Sequence, residues 1–159
     1  MGNIRSSQAK YDEAIDYYRL SVDILEEYHP IDHTNITYCL QWIAWIWKVN
    51  RNYDPTLEYL KKSLRIREVS LSLGHSDIIE TLLSFAIVQQ NKDQYELSLT
   101  YELKCFLLRE KVLPPNHQDI GKSLFNIGNC YENLNQFKLA LNYYKRANSR
   151  LRTMSTFLA

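Results

Sequence analysis

The chain has 159 residues, a length that suits one domain or a short array of repeats. Its formal net charge is +1, which excludes a strong electrostatic attraction to nucleic acid or to an anionic membrane surface. Only four Gly and four Pro accompany a hydrophobic fraction of 45%, and this composition fits a folded helical protein better than a loop-rich β fold.

The N-terminal residues contain no apolar segment of the kind that opens a signal peptide. The longest apolar run, residues 38–47, is too short to span a bilayer. Cys39, Cys105 and Cys130 follow no metal-site spacing and predict small, reduced core residues. We therefore expect a cytoplasmic protein with no metal site and no membrane contact.

The sequence repeats itself every 42 residues without an insertion. Identical residues recur at this interval as Tyr17, Tyr59, Tyr101 and Tyr143, as Ile36, Ile78 and Ile120, as Leu40, Leu82 and Leu124, and as His33, His75 and His117. A period of this size is typical of stacked helical or β units, each of which packs on its neighbours.

In chain order, the register predicts a partial repeat over residues 1–32, complete repeats over 33–74 and 75–116, and a third repeat with the C-terminal tail over 117–159. Residues 1–3 align with residues 127–129 in the middle of a helical pattern. The first segment is therefore expected to hold the stub of a first helix, followed by a full second helix.

Each repeat contains two helical patterns with a short break between them. In the first complete repeat, Asp54 is placed to cap the second helix and Pro55 fits its first turn. In the third, the apolar stripe of the first helix ends at Tyr131, and a break at Asn135–Gln136 precedes the second helix. Breaks this short predict antiparallel helical hairpins.

These hairpins resemble the tetratricopeptide repeat. Its pattern of large, Leu, Gly and aromatic residues followed by Ala, aromatic and Ala is met by Leu124, Ile127, Gly128, Tyr131, Ala140, Tyr144 and Ala147. The 42-residue period and the Arg-Glu pairs at 67–68 and 109–110 resemble the kinesin light chain type of this repeat. The resemblance implies an all-α fold, a right-handed α-solenoid of antiparallel helical hairpins, that binds proteins.

Two positions depart from the pattern in the middle repeat. Gln89 stands where the first helices of its neighbours carry Trp47 and Tyr131, and Glu102 stands in an otherwise apolar column. We expect this repeat to be the least stable part of the array.

The resemblance also implies a concave groove, lined by the first helices, that binds an extended or helical peptide. Carrying its positions onto this sequence predicts the peptide-binding residues Tyr38, Gln41, Trp45 and Lys48 in the first complete repeat, Leu83, Ile87 and Gln90 in the second, and Lys122, Phe125 and Asn129 in the third. Glu80 and Glu132 lie among them, so the groove is expected to be mixed in charge.

Each of these residues also has a local interpretation. An aromatic residue on a first helix is more often a core residue than a ligand contact. However, Trp42, Trp45 and Trp47 point in different directions around a helix that turns about 100° per residue. At least one should face the groove, and the repeat register selects Trp45. Asn129 can bond either a bound peptide or its own helix.

The recurring His-x-Asp at 75–77 and 117–119 has two interpretations, a metal site or a helix start. Equivalent sites in neighbouring repeats should lie roughly one helix diameter apart, ~10 Å. Ligands of one metal ion need nitrogens within about 2.1 Å of it, so the histidines cannot share a site. We predict that they mark the junctions at which first helices begin.

No catalytic motif is present: the sequence has no Gly-rich phosphate loop, Gly-x-Ser-x-Gly, Cys-x-x-Cys or His-Glu-x-x-His. We therefore predict a non-catalytic scaffold that binds a protein or peptide partner, without a cofactor, small-molecule substrate or nucleic acid. Two alternatives stay open. The chain is a structural segment that self-associates end to end, or it is the targeting array of a larger protein with a separate enzyme domain.

Overall fold

The computed structural model describes residues 2–28 and 33–155, and over these residues the chain forms seven α-helices and no strand. Their bounds are α1 Gly2–Tyr28, α2 His33–Val49, α3 Tyr53–Ser70, α4 Ser76–Asn91, α5 Tyr95–Val112, α6 Gln118–Asn133 and α7 Phe137–Ser155. The all-α fold predicted from the repeat pattern is therefore confirmed.

The helices divide into two compact units. Unit 1, Met1–Leu71, contains α1, α2 and α3, and unit 2, Ser72–Ala159, contains α4 to α7. Within each unit every helix packs against the next one along the chain. This sequential packing is what a helical repeat requires, because a single hairpin leaves one apolar face uncovered.

Each hairpin turns through the same backbone cap. Arg51, Asp93 and Asn135 have φ near 59°, 57° and 59°, in the left-handed region. The next residue's N–H then bonds a carbonyl five positions earlier, at 2.8–2.9 Å, and the three pairs are Asn52 with Trp47, Gln94 with Gln89, and Gln136 with Tyr131. This is a common way to satisfy the last carbonyls of a helix. The 42-residue period thus extends to backbone conformation.

The apolar residues of the repeat columns form the cores. In unit 1, one cluster joins Ile15 of α1 to Ile43 and Ile46 of α2, and Val22 packs in a second cluster with residues of α2. In unit 2, one buried core cluster lies on α5, α6 and α7 and contains Phe106, Ile120, Leu124, Ile127 and Ala147. All are side chains that a helical period of 3.6 places on the inward stripe.

The N-terminal segment differs from the expected stub, turn and second helix. α1 runs without interruption from Gly2 to Tyr28 and passes through residues 9–10, which align with the later hairpin turns. Ala9 occupies the column in which Arg51, Asp93 and Asn135 adopt positive φ. Alanine has the highest helix propensity of all residues, which favours continuation of the helix through this position.

α3 also begins two residues earlier than the sequence suggested. Its first residue is Tyr53 and its N-cap is Asn52, whose side chain makes no cap hydrogen bond. Asp54, expected to be the cap, lies inside the first turn, where its charge suits the positive end of the helix dipole.

Candidate peptide-binding faces of the first helices

Histidines begin the first helices of unit 2. His75 is the N-cap of α4 and accepts a hydrogen bond at Nδ1 from the Asp77 N–H at 3.2 Å. His117 does the same for α6 with the Asp119 N–H, also at 3.2 Å. The interpretation of His-x-Asp as a junction marker is thus confirmed for these two histidines. Their ring nitrogens hold the helix start.

The predicted apolar contact residues lie at the surface of the first helices. Tyr38 and Trp45 of α2 are 54% and 43% exposed, Ile87 of α4 is 43% exposed, and Phe125 of α6 is 50% exposed. Leu83 of α4 is half-buried. Large apolar side chains that stay this exposed are available to a partner, and they do not serve only as core.

In unit 1, the exposed rings form a connected aromatic cluster. Trp42 meets Tyr38 edge-on with ring centroids 6.0 Å apart and Trp45 edge-on at 5.6 Å. Its other neighbour is Tyr18 of α1, whose ring lies nearly parallel to it at 6.3 Å. Such pairs hold one another's orientation and are worth about 0.5–1.5 kcal/mol beyond burial. We call Tyr38, Trp42 and Trp45 the unit 1 aromatic face.

The predicted polar contact residues behave differently, because most of them are held by neighbours. Gln41 accepts a hydrogen bond from Arg67 Nη2 at 3.1 Å. Gln90 Nε2 approaches Cys130 Sγ at 3.6 Å, and Lys122 Nζ donates to Asp119 Oδ1 at 3.0 Å. Lys48 is half-buried. A partner that bonds the first three side chains must replace existing interactions and gains little free energy from them.

Asn129 is also engaged within the protein. Its Oδ1 accepts from the Tyr144 hydroxyl at 2.6 Å, and the same hydroxyl lies against Glu132 Oε2. Burial and the hydrogen bond to Glu132 raise the pKa of Tyr144 to about 12, so its hydroxyl keeps its proton at neutral pH. The carboxamide oxygen of Asn129 is therefore bonded to the neighbouring helix α7, which neither interpretation from the sequence anticipated.

Two residues of these surroundings were not singled out from the sequence. Trp42 completes the unit 1 aromatic face, and its signal was the position four residues after Tyr38 on the same helix. Arg109 of α5 bonds the Asp119 carbonyl at 3.2 Å and Ser123 Oγ at 2.8 Å, and so ties α5 to the first turn of α6. The sequence feature that pointed to Arg109 was the repeated Arg-Glu pair, which the sequence analysis used only as a resemblance to the kinesin light chain type of repeat.

The polar residues of the middle repeat are buried. Glu102 of α5 is 2% exposed; its Oε1 accepts from Asn126 Nδ2 at 3.1 Å, and its Oε2 has no hydrogen-bond partner among the described residues. Burial raises the pKa of Glu102 to about 7, although the Asn126 hydrogen bond and the Arg109 charge act to lower it. Gln89 is buried as well.

The thiols are buried and unpaired at Cys39, Cys105 and Cys130. Burial raises the pKa of each, to about 12 for Cys105, which disfavours the thiolate that nucleophilic chemistry needs.

Among residues 2–28 and 33–155, no group of three or more His, Cys, Asp or Glu side chains could hold a metal ion. Nor does any described helix combine the length and apolar character needed to cross a membrane.

Comparison with known proteins agrees with this architecture. The model of the tetratricopeptide repeat family matches residues 77–152. This match covers the helical hairpins of unit 2, and the 42-residue register and hairpins of the chain are similar to tetratricopeptide repeats, including those of a candidate kinesin light chain. No curated protein matches the chain in sequence.

Solved structures show the same fold at low sequence identity. BtubC (BKLC) from P. vanneervenii superimposes with a TM-score of 0.80 at 15% identity, over 92% of this chain and 59% of that one. A candidate kinesin light chain from Podosopora anserina, with nearly identical TPR-like repeats, gives 0.76 at 15% identity, over 94% and 71%. The apo form of RapI gives 0.74 at 18% identity, over 97% and 54%.

The chain thus spans 59% of the length of BtubC and 54% of that of RapI. These likenesses confirm the fold class, an all-α helical-repeat solenoid, and they carry no information on ligand or partner.

Proposed function

We propose that the chain is a non-catalytic protein-interaction module whose first helices bind an extended or helical peptide segment, on the side that forms the concave groove in arrays of this family. The observation that carries the proposal is the exposure of large apolar side chains on α2, α4 and α6. Aromatic anchors of this kind supply most of the binding energy in many protein interfaces.

The state of the polar residues supports a ligand with apolar anchors. Gln41, Gln90, Lys122 and Asn129 already have partners within the protein. The exposed side chains whose burial against a partner would contribute binding free energy are therefore Tyr38, Trp42, Trp45, Ile87 and Phe125. We propose a ligand that presents aromatic or aliphatic side chains, with polar contacts that tune its orientation.

Other features of the proposal rest on composition. The three unpaired, buried thiols suit a reducing compartment, and we propose a cytoplasmic location.

End-to-end self-association and attachment to a separate enzyme domain are the alternative functions. Light scattering at high protein concentration tests the first, since a clean monomer contradicts it.

A ligand can be obtained without knowing the natural partner, by selection from a displayed library of random peptides. Binding of each selected peptide would then be compared between the chain and the variant Trp45→Ala with Phe125→Ala, which removes one anchor in each unit. Val69→Ala in α3 and Leu107→Ala in α5 are matched controls, because both remove an exposed apolar side chain from a second helix. Circular dichroism checks that all variants fold.

A further inference from the structure

The second helices bury one particular stripe against the first helix of their own hairpin. In α3, α5 and α7 the stripe consists of Thr56, Tyr59, Ser63 and Ile66; of Ser98, Tyr101, Cys105 and Leu108; and of Ala140, Tyr143, Ala147 and Arg150. Tyr101 stacks on Phe85 of α4 with centroids 5.0 Å apart, and Tyr143 stacks on Tyr131 of α6 at 5.3 Å. The stripe is thus the hairpin's internal interface.

In α1 the same columns are held by Ala14, Tyr17, Ser21 and Ile24. Tyr17 is 64% exposed and Ile24 is 47% exposed, whereas Leu108, the equivalent of Ile24 in α5, is 6% exposed. α1 packs on α2 mainly through other residues, among them Ile15 and Val22, with Ala14 beside them. Of the residues that would form a hairpin interface, Tyr17 and Ile24 therefore face outward, and Ser21 is half-buried.

Leu20 extends this exposed stripe in a way that the other repeats do not. Its equivalents are Lys62, Lys104 and Arg146, all exposed cations, whereas Leu20 is an apolar residue that is 56% exposed. On a helix face that stays in contact with water, an exposed leucine gains no free energy from burial. Among α1, α3, α5 and α7, this column is therefore apolar in α1, where the interface stripe is also exposed.

Charges beside the stripe are predominantly acidic. Between residues 10 and 28, α1 carries six acidic side chains, all exposed, and two basic ones. On a helix that turns about 100° per residue, Glu13, Asp16 and Glu27 lie along the Leu20 edge of the stripe, whereas the basic Lys10 lies in line with its centre. A partner that covers the stripe is favoured when its flanks are basic.

We propose that the α1 stripe, consisting of the exposed Tyr17, Leu20 and Ile24 with the half-buried Ser21 beside them, is a second protein-binding site that takes a basic amphipathic helix of a partner protein. The partner helix packs on α1 as α4 packs on α5 and as α6 packs on α7. It presents apolar residues at i, i+4, i+7 and i+11, as Ile120, Leu124, Ile127 and Tyr131 do in α6, with a ring that stacks on Tyr17. This surface is distinct from the exposed residues of the first helices.

The probe is a synthetic peptide with the sequence of residues 117–135, which contains the first-helix pattern. Cys130→Ala prevents disulfide formation, and Asp119→Lys with Glu132→Lys makes the flanks basic. A comparison peptide keeps Asp119 and Glu132, and a control peptide carries Leu124→Ser and Ile127→Ser. Affinity for the full chain is measured by fluorescence anisotropy at low and at physiological salt.

The basic peptide is expected to bind at micromolar to submillimolar concentration and more tightly than the comparison peptide at low salt, while the control peptide loses binding. Tyr17→Ser with Ile24→Ser in the chain should weaken binding by about tenfold or more, since both anchors are removed. Val69→Ser, which changes an exposed apolar residue of α3, should leave affinity within about twofold.

Three results would overturn the proposal. The first is an absence of binding up to about 1 mM peptide, which corresponds to less than about 4 kcal/mol of binding free energy. The second is equal affinity of the chain and of the variant Tyr17→Ser with Ile24→Ser. The third is a dimer of the chain alone that this variant dissociates, because a second copy would then be the occupant of the stripe.

Discussion

His117 acts at the start of α6 as a hydrogen-bond acceptor for the Asp119 N–H. Replacing His117 by Ala should lower the free energy of unfolding by about 1 kcal/mol, the usual loss when an N-cap acceptor is removed. His117→Ser should restore most of it, because the serine hydroxyl accepts the same kind of bond. Urea unfolding followed by circular dichroism gives both values. If Ser is as destabilising as Ala, the histidine has a different role.

Glu102 makes the stability of unit 2 depend on pH. Its pKa is raised to about 7 in the folded protein, against 4.5 as the ordinary value. Between these values the folded protein keeps a proton that the unfolded chain has released, so the free energy of unfolding falls as pH rises. The shift corresponds to a loss on the order of 3 kcal/mol, complete above about pH 7.

The variant Glu102→Gln should remove this dependence and be more stable than the unsubstituted chain at pH 8, because Gln can still accept from Asn126 and carries no charge. Urea midpoints at pH 5 and pH 8 measure the effect. Glu110→Gln, at an exposed position of α5, is the matched control. An identical change between pH 5 and pH 8 in the chain and in Glu102→Gln would contradict the assignment.

At this scale the exposure of the predicted apolar residues could be anticipated from the sequence, whereas the hydrogen-bond partners of the predicted polar residues could not. Exposure of Tyr38 or Phe125 is expected from the groove positions that the tetratricopeptide resemblance implies. The partner of a polar side chain depends on another helix: Cys130 lies 40 residues from Gln90, and Arg67 lies 26 residues from Gln41. No local sequence pattern shows contacts between residues so far apart in the chain. The sequence therefore did not show that these polar side chains have partners within the protein.

The hairpin of α6 and α7 depends on a glycine that faces a ring. A Cβ atom added to Gly128 would lie 2.6 Å from Cε1 of Tyr144. That ring cannot move away easily, because its hydroxyl is bonded to Asn129 and Glu132 and its face contacts Phe125. The equivalent pairs, Ala44 with Leu60 and Ala86 with Glu102, combine alanine with a smaller side chain.

Gly128→Ala should therefore destabilise the protein by up to about 2 kcal/mol, since overpacking costs about 1–3 kcal/mol and the helix gains only about 1 kcal/mol from alanine. In the background Tyr144→Leu, the same Gly128→Ala change should become stabilising. The four proteins form a double-mutant cycle measured by urea unfolding. Equal destabilisation in both backgrounds would contradict the proposed contact.

The number and order of the later helices followed from the 42-residue register, since α2 to α7 repeat one hairpin three times. α1 did not follow, although its residues align with the same columns. The turn requires a residue that accepts positive φ, and Ala9 does not favour it. The alignment showed the period but gave this single alanine no weight.

At the scale of the whole molecule, the fold class follows from periodicity, and binding depends on what the repeats leave exposed. Stacked hairpins bury the same columns in every repeat and leave the remaining columns free to vary. Here those columns carry the unit 1 aromatic face and the residues Ile87 and Phe125. The identity of a ligand depends on these variable positions, which is why the repeat pattern alone predicts a binding module without naming its partner.

The affinity of a selected peptide for the variant Trp45→Ala with Phe125→Ala tests the central claim most directly. Removing two aromatic anchors should weaken binding by about thirtyfold or more, the loss of at least about 2 kcal/mol expected of an interface hot spot. The controls Val69→Ala and Leu107→Ala should bind within about twofold of the unsubstituted chain. Peptides that bind the folded double variant as tightly as the unsubstituted chain would contradict the claim that the first helices form the binding site.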